Sequence, residues 1–337
     1  MSRVLIIHTG GTIGMTRTER GYEPNGEFFR SFINGMEDLK APDVPQWDLV
    51  ETYPLLDSSR ISVHEWNKIG NTIADSYEEY DGFVVLHGTD TMAYTASAMS
   101  FMLSGLDKPV ILTGSQIPLF ETRSDGRDNL ITSLMIAGSG KVHEVCIYFG
   151  GLLLRGNRTM KYSADGMQAF TSPNYPPLAT AGIAIQYNEA AMRKSDEGPF
   201  RSVQFREVPI GVLKVFPGIR FEHFRSMFTG TLRGVVLETF GSGNIPDDNS
   251  VLASMAAGKE EEKTVTVVCS QCPQGTVNMS AYEAGSMLRL IGASSGRDMT
   301  TEAAVAKLYY LFSTCDDVNA IKDMIEKDLR GELTEQE

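Results

Sequence analysis

Short runs of unbroken apolar residues, each ending in a turn of glycines and hydroxyls, constrain this chain more than any other feature. RVLIIHT, DGFVVLHGT, KPVILTGS and EVCIYFGG recur through its first half. Between them lie helix-length segments such as SVHEWNKIGNTIADSYEEY, TMAYTASAMSFMLSGL and GRDNLITSLMIAGSG. A strand wetted on one side alternates polar and apolar residues, so continuous runs belong to strands buried on both faces. Such strands alternating with helices predict an α/β fold with a mainly parallel sheet covered by helices. Ser62 and Glu65 form a capping box that opens the first of these helices.

The alternation restarts with IGVLKVFPG, FEHFRSMFTG, RGVVLETFGSGN, VLASMAAG, TVTVVCSQ and AYEAGSMLRLIG. The segments TTEAAVAKLYYLFS and VNAIKDMIEKDL then read as two amphipathic helices. The intervening QYNEAAMRKSDEGPFRSVQFREVP is polar, charged and without periodicity. The expected organisation is a larger N-terminal α/β domain over residues 1–188, a connection over 189–209 and a smaller C-terminal α/β domain over 210–337. A length of 337 residues suits two domains.

Charge and cysteine content narrow the function. A net charge of −13 without any Lys/Arg cluster argues against nucleic acid or an anionic membrane surface as partner. MSRVLIIHTGG is too short in apolar residues for a signal-peptide core. Four cysteines in so long a chain make no disulfide framework, so a reducing cytoplasm is expected. Cys269 and Cys272 stand alone as a C-x-x-C, without the two further ligands zinc requires, and no metal is expected.

Open α/β sheets bind ligands at the C-terminal ends of their strands. HTGGT brings Thr9 and Thr12 there, LHGTDT brings Thr89, Asp90 and Thr91, and LTGSQ brings Thr113 and Ser115. LLDSSR, with Asp57, Ser58 and Ser59, is a fourth polar turn. Each group could instead cap the next helix, Asp90 included. Three glycine-flanked hydroxyl turns at equivalent strand ends favour a shared site. HTGGTIG is a poor phosphate loop: it has no lysine, and its glycine spacing departs from both nucleotide fingerprints. A nucleotide-dependent enzyme and a non-catalytic amino-acid sensor are the competing readings. A hydroxyl needs a base to become a nucleophile. The histidines offer no Ser/His/Asp arrangement, and His8 and His87 read as packing residues within or beside strands. Lys161 is the alternative base where burial or a nearby charge tunes it, although spacing alone favours a surface lysine.

Taken together, TGGTIG, GYEP, LLDSSR, GFVVLHGTDTMAYTASAMSFML, KPVILTGSQIPL, RSDGRDNL, RGNRTMKYSADGMQAFTSPN and LRGEL resemble the bacterial type I L-asparaginases, in order and over nearly the whole chain. The resemblance implies a cytoplasmic homotetramer built from tight dimers, with no metal or organic cofactor. It implies hydrolysis of L-asparagine to L-aspartate and ammonia through a threonine acyl-enzyme. Thr12 would be the nucleophile, with Tyr22 beside it on a mobile lid over residues 15–25. Thr89, Asp90 and Lys161 would form the second catalytic group. Asp57, Ser58, Ser59, Gly88, Thr89, Asp90 and Ser115 would hold the substrate, the acids facing its ammonium, and Asn244 would reach a neighbouring subunit's site. The chain departs from the family at LLDSSR, where a methionine-containing turn is usual, and over residues 190–207. Glycine-flanked turns at residues 10–12 and 88–90 can aim backbone N–H groups at a tetrahedral oxyanion.

Overall fold

The computed structural model describes residues 2–19, 21–195, 198–228, 231–246, 264–279, 283–290 and 292–335. The chain forms two compact units, Met1–Gln204 and Phe205–Glu337. The segment expected to connect them is largely attached to the first: Ala191 is buried, its carbonyl accepts from Arg155, and Arg201–Ser202 pair antiparallel with Leu103–Ser104.

The first unit is built on an eight-stranded sheet. Its strands are β1 (Arg3–Gly10), β2 (Gln46–Leu56), β3 (Gly82–Leu86), β4 (Val110–Thr113), β5 (Val145–Phe149), β6 (Leu152–Arg155), β7 (Ala179–Ala181) and β8 (Ile185–Tyr187). The spatial order is β2-β1-β3-β4-β5-β6-β7-β8. β1 to β5 are parallel, whereas β6, β7 and β8 join by antiparallel pairing.

Successive side chains of these strands go to opposite faces, and both faces are dry. Val4, Ile6, Val84, Leu86 and Ile111 share one core with Phe29 and Ile33 of α1 (Gly26–Gly35) and with Leu130 and Leu134 of α4 (Gly126–Ala137). The alternate residues Leu5, Ile7, Phe83, Val85, Val110 and Leu112 are equally buried. The helices α2 (Val63–Asp75) and α3 (Met92–Met102) complete this layer set. Each fully buried Ile, Leu or Phe contributes about 1.5–3 kcal/mol, which is why the apolar runs dictate the sheet. The Ser62–Glu65 capping box is present at the start of α2.

β1 lies between β2 and β3, so the chain leaves β1 in one direction to build β2 and returns to its other side for β3. That reversal is a topological switch point, where the loops leaving two neighbouring strands diverge and leave a crevice at their C-terminal ends. Residues 10–12 and 87–90 are the two loops concerned.

Within the segment expected as a lid, Met15–Thr18 pairs antiparallel with Gly21–Pro24. Met15 is buried, and Asn25 next to the hairpin caps α1 through Phe28 N–H.

The second unit carries a parallel four-stranded sheet of β9 (Ile210–Lys214), β10 (Gly234–Thr239), β11 (Val265–Ser270) and β12 (Ser294–Ser295). Its helices include α5 (Glu283–Leu290), α6 (Thr301–Thr314) and α7 (Val318–Ile325). The expected element VLASMAAG lies outside the described residues. α6 is a helix as expected, but not an amphipathic one: Ala303 to Leu308, Leu311 and Phe312 are all buried. Even Lys307 is fully enclosed, donating to the carbonyls of Ile325 and Lys327 and to Glu332 Oε1 at 2.5 Å. Glu332, in the LRGEL motif, is equally enclosed and also accepts the N–H groups of Leu329 and Arg330.

Candidate active site

The crevice at the ends of β1, β2 and β3 is assembled by backbone packed against backbone. Gly11 N–H donates to Leu56 O at 3.0 Å, tying the turn after β1 to the end of β2. Gly11 has φ +80° and ψ 172°, and a Cβ there would fall 2.4 Å from Gly88 N. A Cβ on Gly88 would in turn fall 2.6 Å from Ser58 Oγ. Thr91 Oγ1 donates to Ser58 O at 2.7 Å and closes the third side. The glycines are therefore required for contact between turns, and the contact packs together the turns that bear Thr12, Ser58 and Thr89.

Thr12 begins a short 3-10 turn, Thr12–Gly14, directly after Gly11, and is half-buried. Thr9, the neighbouring hydroxyl, is engaged structurally, donating to Leu86 O at 2.9 Å. Asp57 caps the turn Ser58–Arg60, and the Ser59 N–H and hydroxyl hold its carboxyl below the usual range. Ser58 is buried, whereas Asp57 and Ser59 are exposed.

Thr89 and Asp90 follow β3. Capping does not explain Asp90, because the residue capping α3 is Thr91 and no side chain bonds there. Lys161 Nζ instead donates to Asp90 Oδ1 at 2.6 Å and to Thr89 Oγ1 at 2.8 Å. The Lys161 side chain is 18 % exposed, so it is not the surface lysine that spacing alone favours. Asp90 is 66 % exposed, so the pair reaches solvent rather than being enclosed. Lys161 is held by the short antiparallel ladder of Met160–Lys161 with Phe170–Thr171.

Ser115, after β4, is enclosed, and its hydroxyl has no hydrogen-bond partner among the described residues. Tyr22, on the hairpin, is 48 % exposed and its hydroxyl donates to Glu121 at 3.3 Å. Asn244, in the second unit, closes a tight turn by exchanging backbone hydrogen bonds with Phe240.

Both strand-associated histidines are packing residues. His87 is fully buried, with Nδ1 on Gly88 O at 2.7 Å and Nε2 on Thr95 Oγ1 at 3.0 Å, and burial pushes its pKa down to about 4. His8 packs its ring against Phe29 at a tilt of 35°, and burial, only partly offset by Glu51, lowers it to about 4 as well.

Sequence reasoning missed the residues that fix the β4 turn. Asp125 is the N-cap residue of α4, but its side chain makes no capping bond, because its carboxylate accepts the backbone N–H groups of Gln116 and Ile117 at 3.0–3.1 Å. Asn129 bridges Gly114 O and Gly150 N–H. No local signal in RSDGRDNL separates Asp125 and Asn129 from the other polar residues there, because their partners lie in the turns at 114–117 and 150. Among the described residues no group of three His, Cys, Asp or Glu could hold a metal, and no helix is long and apolar enough to cross a membrane.

Comparison with known proteins agrees in both units. Residues 3–193 match the N-terminal asparaginase family and residues 209–325 the glutaminase/asparaginase C-terminal domain. The chain is 42 % identical over 331 residues to L-asparaginase 1 of Escherichia coli K12, covering 98 % of each protein. It is 41 % identical over 355 residues to the 60 kDa lysophospholipase of Mus musculus, covering 62 % of that longer chain. The crystal structure of L-asparaginase I from Vibrio cholerae superposes with a TM-score of 0.92 at 42 % identity, over 99 % of both chains. With a switch-point crevice lined by hydroxyls and these matches running through both units, the chain belongs to the asparaginase family.

Proposed function

We propose that this protein hydrolyses L-asparagine to L-aspartate and ammonia through an acyl-enzyme on Thr12. The observation that carries the reading is Lys161 bonded at once to Thr89 and Asp90, on a turn packed against the one that bears Thr12. An amide is a poor electrophile, and splitting its hydrolysis into two acyl transfers lowers each barrier. Thr12 Oγ bonds to the carboxamide carbon and gives up its proton, the C–N bond breaks, and the nitrogen leaves as ammonia after gaining that proton. Water then adds to the ester carbon, the C–Oγ bond breaks, and Thr12 recovers its hydroxyl as aspartate departs. Thr89 and Lys161 serve as the proton path for these transfers. Asp90 and Asp57 face the substrate ammonium, Ser58, Ser59, Gly88 and Ser115 complete its cradle, and Tyr22 swings from Glu121 to cover Thr12 when substrate binds.

The similarity to L-asparaginase 1 supports the substrate, and the absence of a phosphate-loop lysine weighs against a nucleotide enzyme. We place the enzyme in the cytoplasm as a tetramer made of two tight dimers, with Asn244 at a neighbouring subunit's site. Ammonia release from L-Asn, D-Asn and L-Gln tests the activity. Thr12→Ala should lower kcat on L-Asn at least about a thousandfold, the scale seen when one member of a coupled catalytic group is removed. An unchanged rate would exclude Thr12 as the nucleophile.

A further inference from the structure

Gln116 is hydrogen-bonded to Thr89 of the proposed catalytic group, and nothing in the reaction as described uses it. Its carboxamide makes three hydrogen bonds. Nε2 donates to the carbonyls of Ala164 and Gly166, each at 3.2 Å, and Oε1 accepts from Thr89 Oγ1 at 3.2 Å. Two carbonyls can only accept, so the amide nitrogen must face them and the amide oxygen must face Thr89. The main chain of Gln116 is fixed as firmly by Asp125.

Thr89 therefore has one neighbour on each side. Lys161 Nζ donates to its oxygen at 2.8 Å, and its own hydroxyl donates to Gln116 Oε1. A hydroxyl with a single partner rotates about its C–O bond; one held between a donor and an acceptor has a fixed proton and a fixed lone pair. Ala164 and Gly166 belong to the turn that follows Lys161 and returns to Phe170, so the same carboxamide also ties that turn to Thr89.

Resting on the proposed asparagine hydrolysis, we propose that Gln116 is a positioning residue for it, setting the Thr89 hydroxyl against Lys161 without touching substrate. The test is Gln116→Met, which keeps the side chain's length and loses all three hydrogen bonds, measured in the natural protein and in a Thr89→Val background. In the natural protein kcat on L-asparagine should fall at least about tenfold, the equivalent of one lost hydrogen bond in the transition state, with KM within about twofold. In the Thr89→Val background the same substitution should change kcat less than about twofold, because the hydroxyl through which it acts is gone. A Gln116→Met enzyme with kcat close to natural, or an equal fall in both backgrounds, overturns the inference while leaving the hydrolysis standing. A natural protein that releases no ammonia from L-asparagine overturns both. Gln116→Glu is the second variant: it keeps an acceptor for Thr89 but sets a carboxylate against two carbonyls, and should retain less activity than the natural enzyme and more than Gln116→Met.

Discussion

The packing of Gly11 on Gly88 can be tested by adding one methyl group. In Gly11→Ala the new Cβ would lie 2.4 Å from Gly88 N, 2.5 Å from Gly88 Cα and 2.8 Å from His87 C. These are backbone atoms, so neither turn can yield by changing a rotamer. The backbone at φ +80° and ψ 172° lies in a region open almost only to glycine, and alanine there costs about 1–3 kcal/mol. Overpacking against the His87–Gly88 backbone adds about 1–3 kcal/mol. The sum, about 2–6 kcal/mol, is a large part of the 5–15 kcal/mol that stabilises a typical protein. Both tryptophans, Trp47 and Trp66, belong to the same unit, so urea unfolding followed by their fluorescence reports on it directly. With a slope of about 1–3 kcal/mol per molar urea, the midpoint should fall by about 0.7 M or more. To fit the methyl group the turn must move on the order of 1 Å, and a displacement of that size costs about a hundredfold in rate. Gly140→Ala is the control: φ is +66° there, but nothing lies within 4 Å, so it should lose only the backbone contribution and keep its activity. Natural kcat/KM and an unshifted midpoint for Gly11→Ala would refute the close contact of the two turns.

Lys161→Met should lower kcat far more than it weakens aspartate binding, whereas Asp90→Ala should weaken both; calorimetric titration with L-aspartate beside steady-state rates separates them, and equal effects would contradict the division of roles. Stability should decline as pH falls from about 6.5 to 4. His8 and His87 are held neutral down to about 4, while the unfolded chain protonates both from about 6.5, so each removes about 1.4 kcal/mol per pH unit in that window. Urea midpoints at pH 7.5 and pH 5 check the sign, and a midpoint that rises on acidification would be the wrong one. Lys307→Met should destabilise the second unit by about 3–5 kcal/mol, because it strands Glu332 in the interior. Adding Glu332→Leu should recover most of that loss in thermal unfolding followed by circular dichroism, and no recovery would mean that charge is not the cause.

The parts of this structure legible in the sequence are those whose signal is local. RVLII and GFVVL fix β1 and β3 because a strand buried on both faces tolerates no polar interruption, and Ser62 with Glu65 fixes the start of α2. Strand-end hydroxyls indicate a crevice, since parallel strands share a C-terminal edge. Sheet order is not local, and the position of β1 between β2 and β3 has no counterpart in composition. The hairpin at 15–24 was hidden because a mostly exposed two-stranded ribbon needs almost no apolar residues. In α6 the charge of Lys307 suggests a wetted face, yet its partner Glu332 lies far along the chain. Gln116 and Asp125 escaped for the same reason: their importance rests on partners at residues 89, 164 and 166 in one case and on backbone N–H groups in the other.

The place of β1 between two later strands also sets the order of events during synthesis. Leu5 pairs with Asp48 on one side and with Phe83 on the other, so the ribosome makes this strand well before either neighbour. Until Phe83 emerges, VLII is a short, β-prone apolar stretch with at least one unpaired edge, the kind of segment that joins other nascent chains. Closing such long loops before any contact is rewarded makes folding slow. Overproduction at high temperature should therefore drive this protein into inclusion bodies through its first strand, and slower translation or an ATP-dependent chaperone should raise the soluble yield without any change in the mature enzyme.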